Sequence, residues 1–353
     1  MTRRGIVLFV ALSLMGCATA PRVMQYDVAQ NNEPRPGWPA APQVPRLEYA
    51  GQLVGEQNFV VVDQQIGSGE RFLRWLAGIG GRGKQPTQLV RPQSGVVDGA
   101  GRILVTDAGR PSVFVFDETN GSFQLWREAA DGVDFVSPVG IAQLPNGEFI
   151  VADAELGAAY VLSSDGEPLR SFAADELERP TGIDVDLKTG EVFVADKAAR
   201  MVKVFALDGT LTRSIGVPGD SAETLNAPMH IRVADGKVFV SDALNAHILI
   251  YAEDSGELVE SIGRRGLYVG NLVRPKGVTV DSDGNIYVVE SYYDHLLVYD
   301  EAGQFLLPIG GTGTDIGQFF LPAGSWSDAQ DRIFVADMFN GRVMVFRYVR
   351  ADS

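Results

Sequence analysis

Pro180-Thr-Gly-Ile-Asp-Val-Asp186, Lys188-Thr-Gly190, Glu191-Val-Phe-Val-Ala-Asp196, Val202-Lys-Val-Phe205, Asp208-Gly209 and Leu211-Thr-Arg-Ser-Ile-Gly216 follow one another in the middle of the chain. The apolar runs are too short for helices and are divided by Gly- and Asp-containing turns, so they read as four consecutive strands. The same grammar starts at Pro92, Pro138, Pro180, Pro228, Pro275 and Pro322, and its second strand ends at Asp107, Asp153, Asp196, Asp242, Glu290 and Asp337. Successive prolines lie 46, 42, 48, 47 and 47 residues apart. That is the period of a four-stranded propeller blade and too long for leucine-rich or tetratricopeptide units. The expected fold is all-β, a six-bladed β-propeller.

Working outward from the repeat, the last blade stops soon after its third strand, at Phe346-Arg-Tyr-Val349. Its outer strand is missing. The best unassigned strand-like segment is Arg46-Leu-Glu-Tyr-Ala-Gly-Gln-Leu-Val54, which precedes blade one. Pairing there would close the ring and leave no open sheet edge between the termini. Residues 55–90 are an insertion that the repeat does not explain. Within it, Glu70-Arg-Phe-Leu-Arg-Trp-Leu-Ala77 places Phe72, Leu73, Trp75 and Leu76 on one side of a short helix, which either packs on the propeller or docks a partner or a membrane.

The N-terminus has a basic start, Met1-Thr-Arg-Arg4, an apolar stretch from Gly5 to Leu14, and Leu14-Met15-Gly16-Cys17. An apolar stretch of about ten residues is too short to span a bilayer and reads as a secretory signal. The four residues ending at Cys17 resemble the bacterial lipobox, which would make Cys17 a lipidated first residue. It is the only cysteine, so it has no disulfide or metal-binding companion. From Ala18 to Pro45 the chain is rich in proline, a composition that favours extended geometry and reads as a tether. The expected organisation is a lipoprotein signal peptide over residues 1–17, a proline-rich tether over 18–45 and the propeller over 46–350.

Val335-Ala-Asp-Met-Phe-Asn-Gly-Arg-Val-Met-Val-Phe346 resembles the NHL repeat, and the whole chain resembles bacterial six-bladed NHL-propeller lipoproteins. The resemblance implies the fold and an outer-membrane lipoprotein facing the periplasm, with Ala18 after the cysteine favouring the outer over the inner membrane. It implies no settled activity, because a propeller carries many unrelated ones. The net charge is −15, which removes any counterion-release drive toward nucleic acid.

Strand directions alternate within a blade, so the loop entering each inner strand and the loop joining strands two and three share one face. All three histidines fall in these loops, and loops on a rigid scaffold are where sites are built. The binding-face candidates are Thr181, Met229, His230, Lys276, Tyr292, Tyr293 and His295. His230 stands where most repeats have glycine (Gly140, Gly182, Gly277, Gly324), placing a side chain at the channel mouth. Methionine and aromatic residues anchor protein interfaces, which points to a non-catalytic scaffold that holds an envelope protein or complex. The competing reading is a zinc- or calcium-dependent lyase or lactonase in the channel, with His230 and Glu290 as metal ligands. The amidating-lyase resemblance would require histidines directly after blade prolines, where this chain has Gln93, Val139, Thr181, Met229, Lys276 and Ala323. The recurring strand-end acids are explained most simply as caps for loop backbone. No catalytic triad order or HExxH site is visible. Gly310-Gly-Thr-Gly-Thr-Asp-Ile-Gly317 has no following helix and reads as a turn rather than a nucleotide loop.

Overall fold

A strand buried on both faces must be apolar along its whole length, and the second strand of each repeat meets that demand up to its terminal acid. Ile103–Asp107, Phe149–Asp153, Val192–Asp196 and Ile286–Glu290 are buried at every position. In the computed structural model, which describes residues 22–26, 35–61, 85–173 and 175–350, these strands sit inside six radially arranged sheets. Blades one to five each pair their four strands antiparallel in chain order, from the inner strand at the channel to the outer strand. The expected signal segment, Cys17 and the helix at 70–77 lie outside the described residues.

The sixth blade closes as its truncated repeat requires. Its third strand, Arg342–Tyr348, pairs with Leu47–Leu53, from Val343 opposite Leu53 to Tyr348 opposite Leu47. The closing strand alternates buried and half-buried residues, as expected for an outer strand with one face on the core. The expected tether departs from a free leash. Gly37–Trp38 adds a fifth strand to this sheet, and Trp38 packs edge-on against Phe346 at 5.5 Å. Arg22–Met24 pairs with Phe59–Val61, burying Met24 beside Phe59. An aromatic ring and a methionine gain more from this contact than extended proline-rich chain gains from solvation, so parts of 18–45 join the propeller.

Apolar side chains from facing sheets form one cluster at each of the six blade boundaries. The cluster between blades six and one joins Phe334, Ala336 and Val345 to Ile103, Phe114 and Phe116, so the core is continuous across the closure. Among the described residues, no helix is long and apolar enough to cross a membrane.

Candidate functional site

The acid at the end of each second strand is the device that fixes the loops of one face. Asp242 accepts hydrogen bonds from the backbone N–H groups of Asn226, Ala227 (3.0 Å), Leu244 (3.0 Å) and Asn245 (2.9 Å), tying the chain that enters the blade to the loop that leaves its second strand. Asp107, Asp153 and Asp196 do the same in blades one to three. Glu290 performs this task in blade five, accepting from Val273 (3.3 Å), Arg274 (2.6 Å), Tyr292 (3.3 Å) and Tyr293 (2.9 Å). Both of its carboxylate oxygens accept backbone N–H groups, so Glu290 caps loop backbone as the strand-end aspartates do.

The inner strands start with a bulge. In blade three Pro180 faces Asp196 and Gly182 faces Ala195, leaving Thr181 out of register. The next position needs glycine because neighbouring backbones nearly touch: a Cβ on Gly182 would lie 2.9 Å from His230 Cα, and one on Gly324 would lie 2.3 Å from the Gln93 carbonyl oxygen. The two blades without glycine there carry Ser94 and His230, from blades one and four, on opposite sides of the six-membered ring. Their side chains meet across the channel, with Ser94 Oγ 3.2 Å from His230 Nε2. The Val278 N–H donates to His230 Nδ1 at 3.5 Å, which leaves Nε2 as the protonated nitrogen donating to Ser94. Burial, reinforced by the Arg232 charge, lowers the His230 pKa to about 4, so the imidazole is neutral near pH 7. His230 is thus a crossbar within the channel rather than a free group at its mouth.

The three histidines do not converge. His247 Nδ1 donates to the Gly263 carbonyl at 3.0 Å, and His295 lines a notch beside blade five. Among the described residues, no group of three or more His, Cys, Asp or Glu side chains could hold a metal ion. With Glu290 capping backbone and His230 bridging to Ser94, the residues do not fit the zinc or calcium site of the channel reading.

The other predicted residues divide into ties and open side chains. Thr181 Oγ1 lies 2.8 Å from the Pro228 carbonyl and 3.1 Å from that of Ala195, linking blade three to blade four. Met229 is half-buried. Tyr292 is 56% exposed and stands edge-on to half-buried Tyr293 at 4.9 Å. Tyr293 and His295 form one wall of a notch of about 90 Å³, and Leu267, Tyr268 and Val269 from the connection between blades four and five form the other. Lys276 lies half-buried at the channel mouth, and its ammonium has no partner among the described residues. Burial, then the nearby Arg274 and Lys197 charges, lower its pKa to about 8.

Sequence reasoning missed the opposite end of the channel. There the hairpins joining strands one and two surround a cavity of about 700 Å³, whose lining includes Asp184, Asp186, Arg232, Asp281, Asp328 and Asp331. Asp184 accepts from the Val233 N–H at 2.8 Å and faces Arg232 at 3.5 Å, and burial raises its pKa. Asp281 and Asp328 are held by their own turns, the latter with Arg332 Nε at 2.6 Å. The Asp-rich turns between strands one and two are visible in the sequence, but the blade-to-blade pairing that faces them inward is not.

Comparison with known proteins agrees with this architecture. The model of the DUF5128 family, described as a 6-bladed beta-propeller, matches residues 220–307. NHL repeat-containing protein 3 of Homo sapiens is 28% identical over 176 residues, which is 45% of this chain and 49% of that protein. The chain is a six-bladed β-propeller whose repeats are similar to those of NHL repeat-containing proteins. This propeller spans at most about half the length of the curated relatives it matches. A protein of unknown function from Bacteroides thetaiotaomicron has the same fold, with a TM-score of 0.60 at 14% identity over 73% of this chain and 70% of that one. So does virginiamycin B lyase from Staphylococcus aureus, with a TM-score of 0.53 at 14% identity over 74% of this chain and 96% of that one.

Proposed function

We propose that the NHL propeller is a non-catalytic binding scaffold of the bacterial cell envelope, held to the outer membrane through lipid on Cys17 and presenting its proline-loop face to a protein partner in the periplasm. The observation that carries this reading is where the large apolar side chains are left bare. Leu244, Leu267, Tyr268, Tyr292, Phe320 and Phe339 are all exposed, and all lie in the second-to-third-strand loops or blade connections of blades four to six. Scattered exposed apolar residues are ordinary and occur elsewhere on this molecule too, but a set on one face that includes aromatic pairs, Tyr292 with Tyr293 and Phe320 with Phe339, has the composition of an interface core. The strand-end acids hold these loops rigid, so little ordering entropy is lost when a partner docks.

The reading is tested by in-cell crosslinking of the full chain from this face, followed by mass spectrometry. One dominant envelope protein captured from blades four to six, with capture lost in Tyr292→Ala/Phe339→Ala and unfolding unchanged, is the expected result. Equal capture by the double variant would rule out this face. Mass spectrometry of the N-terminal peptide tests the anchor, and an unprocessed, unmodified Cys17 would remove it.

A further inference from the structure

The connection Gly263-Arg-Arg-Gly-Leu-Tyr-Val-Gly-Asn-Leu-Val-Arg-Pro-Lys276 carries four cations and no acid, in a chain whose net charge is −15. None of the four has a carboxylate partner among the described residues. Arg264 Nε donates to the Asn271 side-chain oxygen at 3.1 Å, Arg265 to the Leu244 carbonyl, and Arg274 Nε to Ser291 Oγ at 3.1 Å, while the Lys276 ammonium has no partner among the described residues. The same connection holds Leu267 and Tyr268, exposed at 79% and 83% respectively, beside the notch that Tyr293 and His295 complete. Several arginines elsewhere in the molecule pair with acids, as Arg102 does with Asp98, Arg213 with Glu191, Arg332 with Asp328 and Arg342 with Asp337, and others such as Arg91, Arg170 and Arg200 bond single backbone carbonyls. With no acid paired to any of its four cations among the described residues, and bare apolar side chains beside them, this connection describes one half of an interface.

We infer that this connection is the docking strip of the scaffold face and that it takes an acidic polypeptide segment carrying a large aliphatic or aromatic anchor. The inference rests on the scaffold reading and specifies its partner's chemistry. The anchor enters the notch walled by Leu267, Tyr268, Val269 and Tyr293, a volume of one side chain. Carboxylates flanking the anchor pair with Arg264 and Arg265 at the rim and with Arg274 and Lys276 toward the channel mouth. Arginine favours this pairing because its planar fork meets a carboxylate with two parallel hydrogen bonds. Lys276, whose environment otherwise contains like charges, gains the counter-charge it lacks. A basic or neutral segment would leave all four cations unpaired and lose the discrimination that opposite charges give.

The test uses the full chain and a fluorescein-labelled peptide of Glu-Glu-Leu-Glu-Glu-Phe repeated twice, with a version in which every Glu is Lys and another in which Leu and Phe are Ser. Fluorescence polarisation is expected to show binding of the first peptide only, weakening roughly tenfold between about 50 mM and 500 mM NaCl as screening shortens the reach of the charges. Arg264→Glu/Arg265→Glu and Tyr268→Ser are each expected to weaken it about tenfold or more, while Arg110→Glu, an exposed cation on the loop of blade one, leaves it unchanged. Equal binding of the Lys peptide, or no effect of the Arg264/Arg265 variant, would overturn the inference. In cells, a photo-crosslinker in place of Tyr268 that captures an acidic segment of another protein supports it. Capture of a basic or neutral segment, or of a second copy of this chain, overturns the docking chemistry but leaves the scaffold reading standing. Absence of capture from the whole face, with acidic-peptide binding retained, removes the scaffold reading and leaves the strip.

Discussion

The two ends of the channel are built from the same six repeats and treat charge in opposite ways. At the hairpin end, carboxylates are satisfied within the chain: Asp281 takes two N–H groups and the Asn285 and Tyr287 side chains, Asp328 takes Arg332, and Asp331 takes Ser282. At the proline end, the strand-end acids hold backbone, and the cations of residues 263–276 are left without acids among the described residues. On the scaffold reading proposed above, loops of one propeller serve stability where their charges find partners inside the fold and are left for recognition where they do not. The hairpin face should therefore respond to pH, and the proline face to a partner and to salt.

The largest effect is expected where the proline face is anchored to the core. Replacing Asp242, fully buried, with Ala leaves four backbone donors without their acceptor and should cost about 3 to 5 kcal/mol in urea unfolding. A loss below about 1 kcal/mol would mean that water replaces the carboxylate and that the loops are not held by their acids.

The crossbar between the two faces comes next. The folded-state pKa of His230 lies below its unfolded value, so its contribution is complete above about pH 6.5 and is lost as pH falls toward 4. Comparing the chain with His230→Gln, the stability difference should move against the histidine form by about 2 to 3 kcal/mol over that window. A difference independent of pH would place the ring in contact with bulk water and open the channel between the faces.

At the hairpin face, Glu253 has its pKa raised to about 7 by burial, followed by its hydrogen bond to Asp186 and the charges of Asp186 and Glu191. A raised carboxyl pKa destabilises the fold as pH climbs from about 4.5 to 7. Glu253→Gln should therefore stabilise by about 1 kcal/mol at pH 8, after discounting for solvent screening, and do nothing at pH 4. An unchanged melting temperature at pH 8 would show that the hairpin acids are not crowded.

The smallest effect sharpens the contrast. Arg264→Glu/Arg265→Glu should change stability by less than about 0.5 kcal/mol, because these exposed side chains hold no ion pair that folding depends on. A large loss would reassign the connection from recognition to structure.

Much of the framework is legible in the residues. The proline period and the strand-end acids locate the blades, and the truncated last repeat points to residues 46–54, whose core, Leu47–Leu53, pairs as expected. Of the site candidates, Tyr293 and His295 meet at one notch, Tyr292 packs on Tyr293, and Lys276 has no partner among the described residues. Thr181 bears on the next blade through the Pro228 carbonyl, and His230 on the opposite blade through Ser94. Residues 22–26 and 35–38 look like leash because their composition is proline-rich, yet Met24 and Trp38 find apolar surface on the finished propeller.

The sequence by itself determined the number of blades, their strand order, the acids that cap their loops and the strand that closes the ring, because each depends on neighbours within one repeat or on a gap in the pattern. Only the tertiary structure decided that Ser94 meets His230 across the channel, that Asp281, Asp328 and Asp331 are paired at the hairpin end, and that the cations of residues 263–276 have no acid among the described residues. Pairing is a property of three-dimensional neighbourhood, and in this ring the neighbours of a side chain come from blades tens to hundreds of residues away in the chain, as Ser94 and His230 do at a separation of 136.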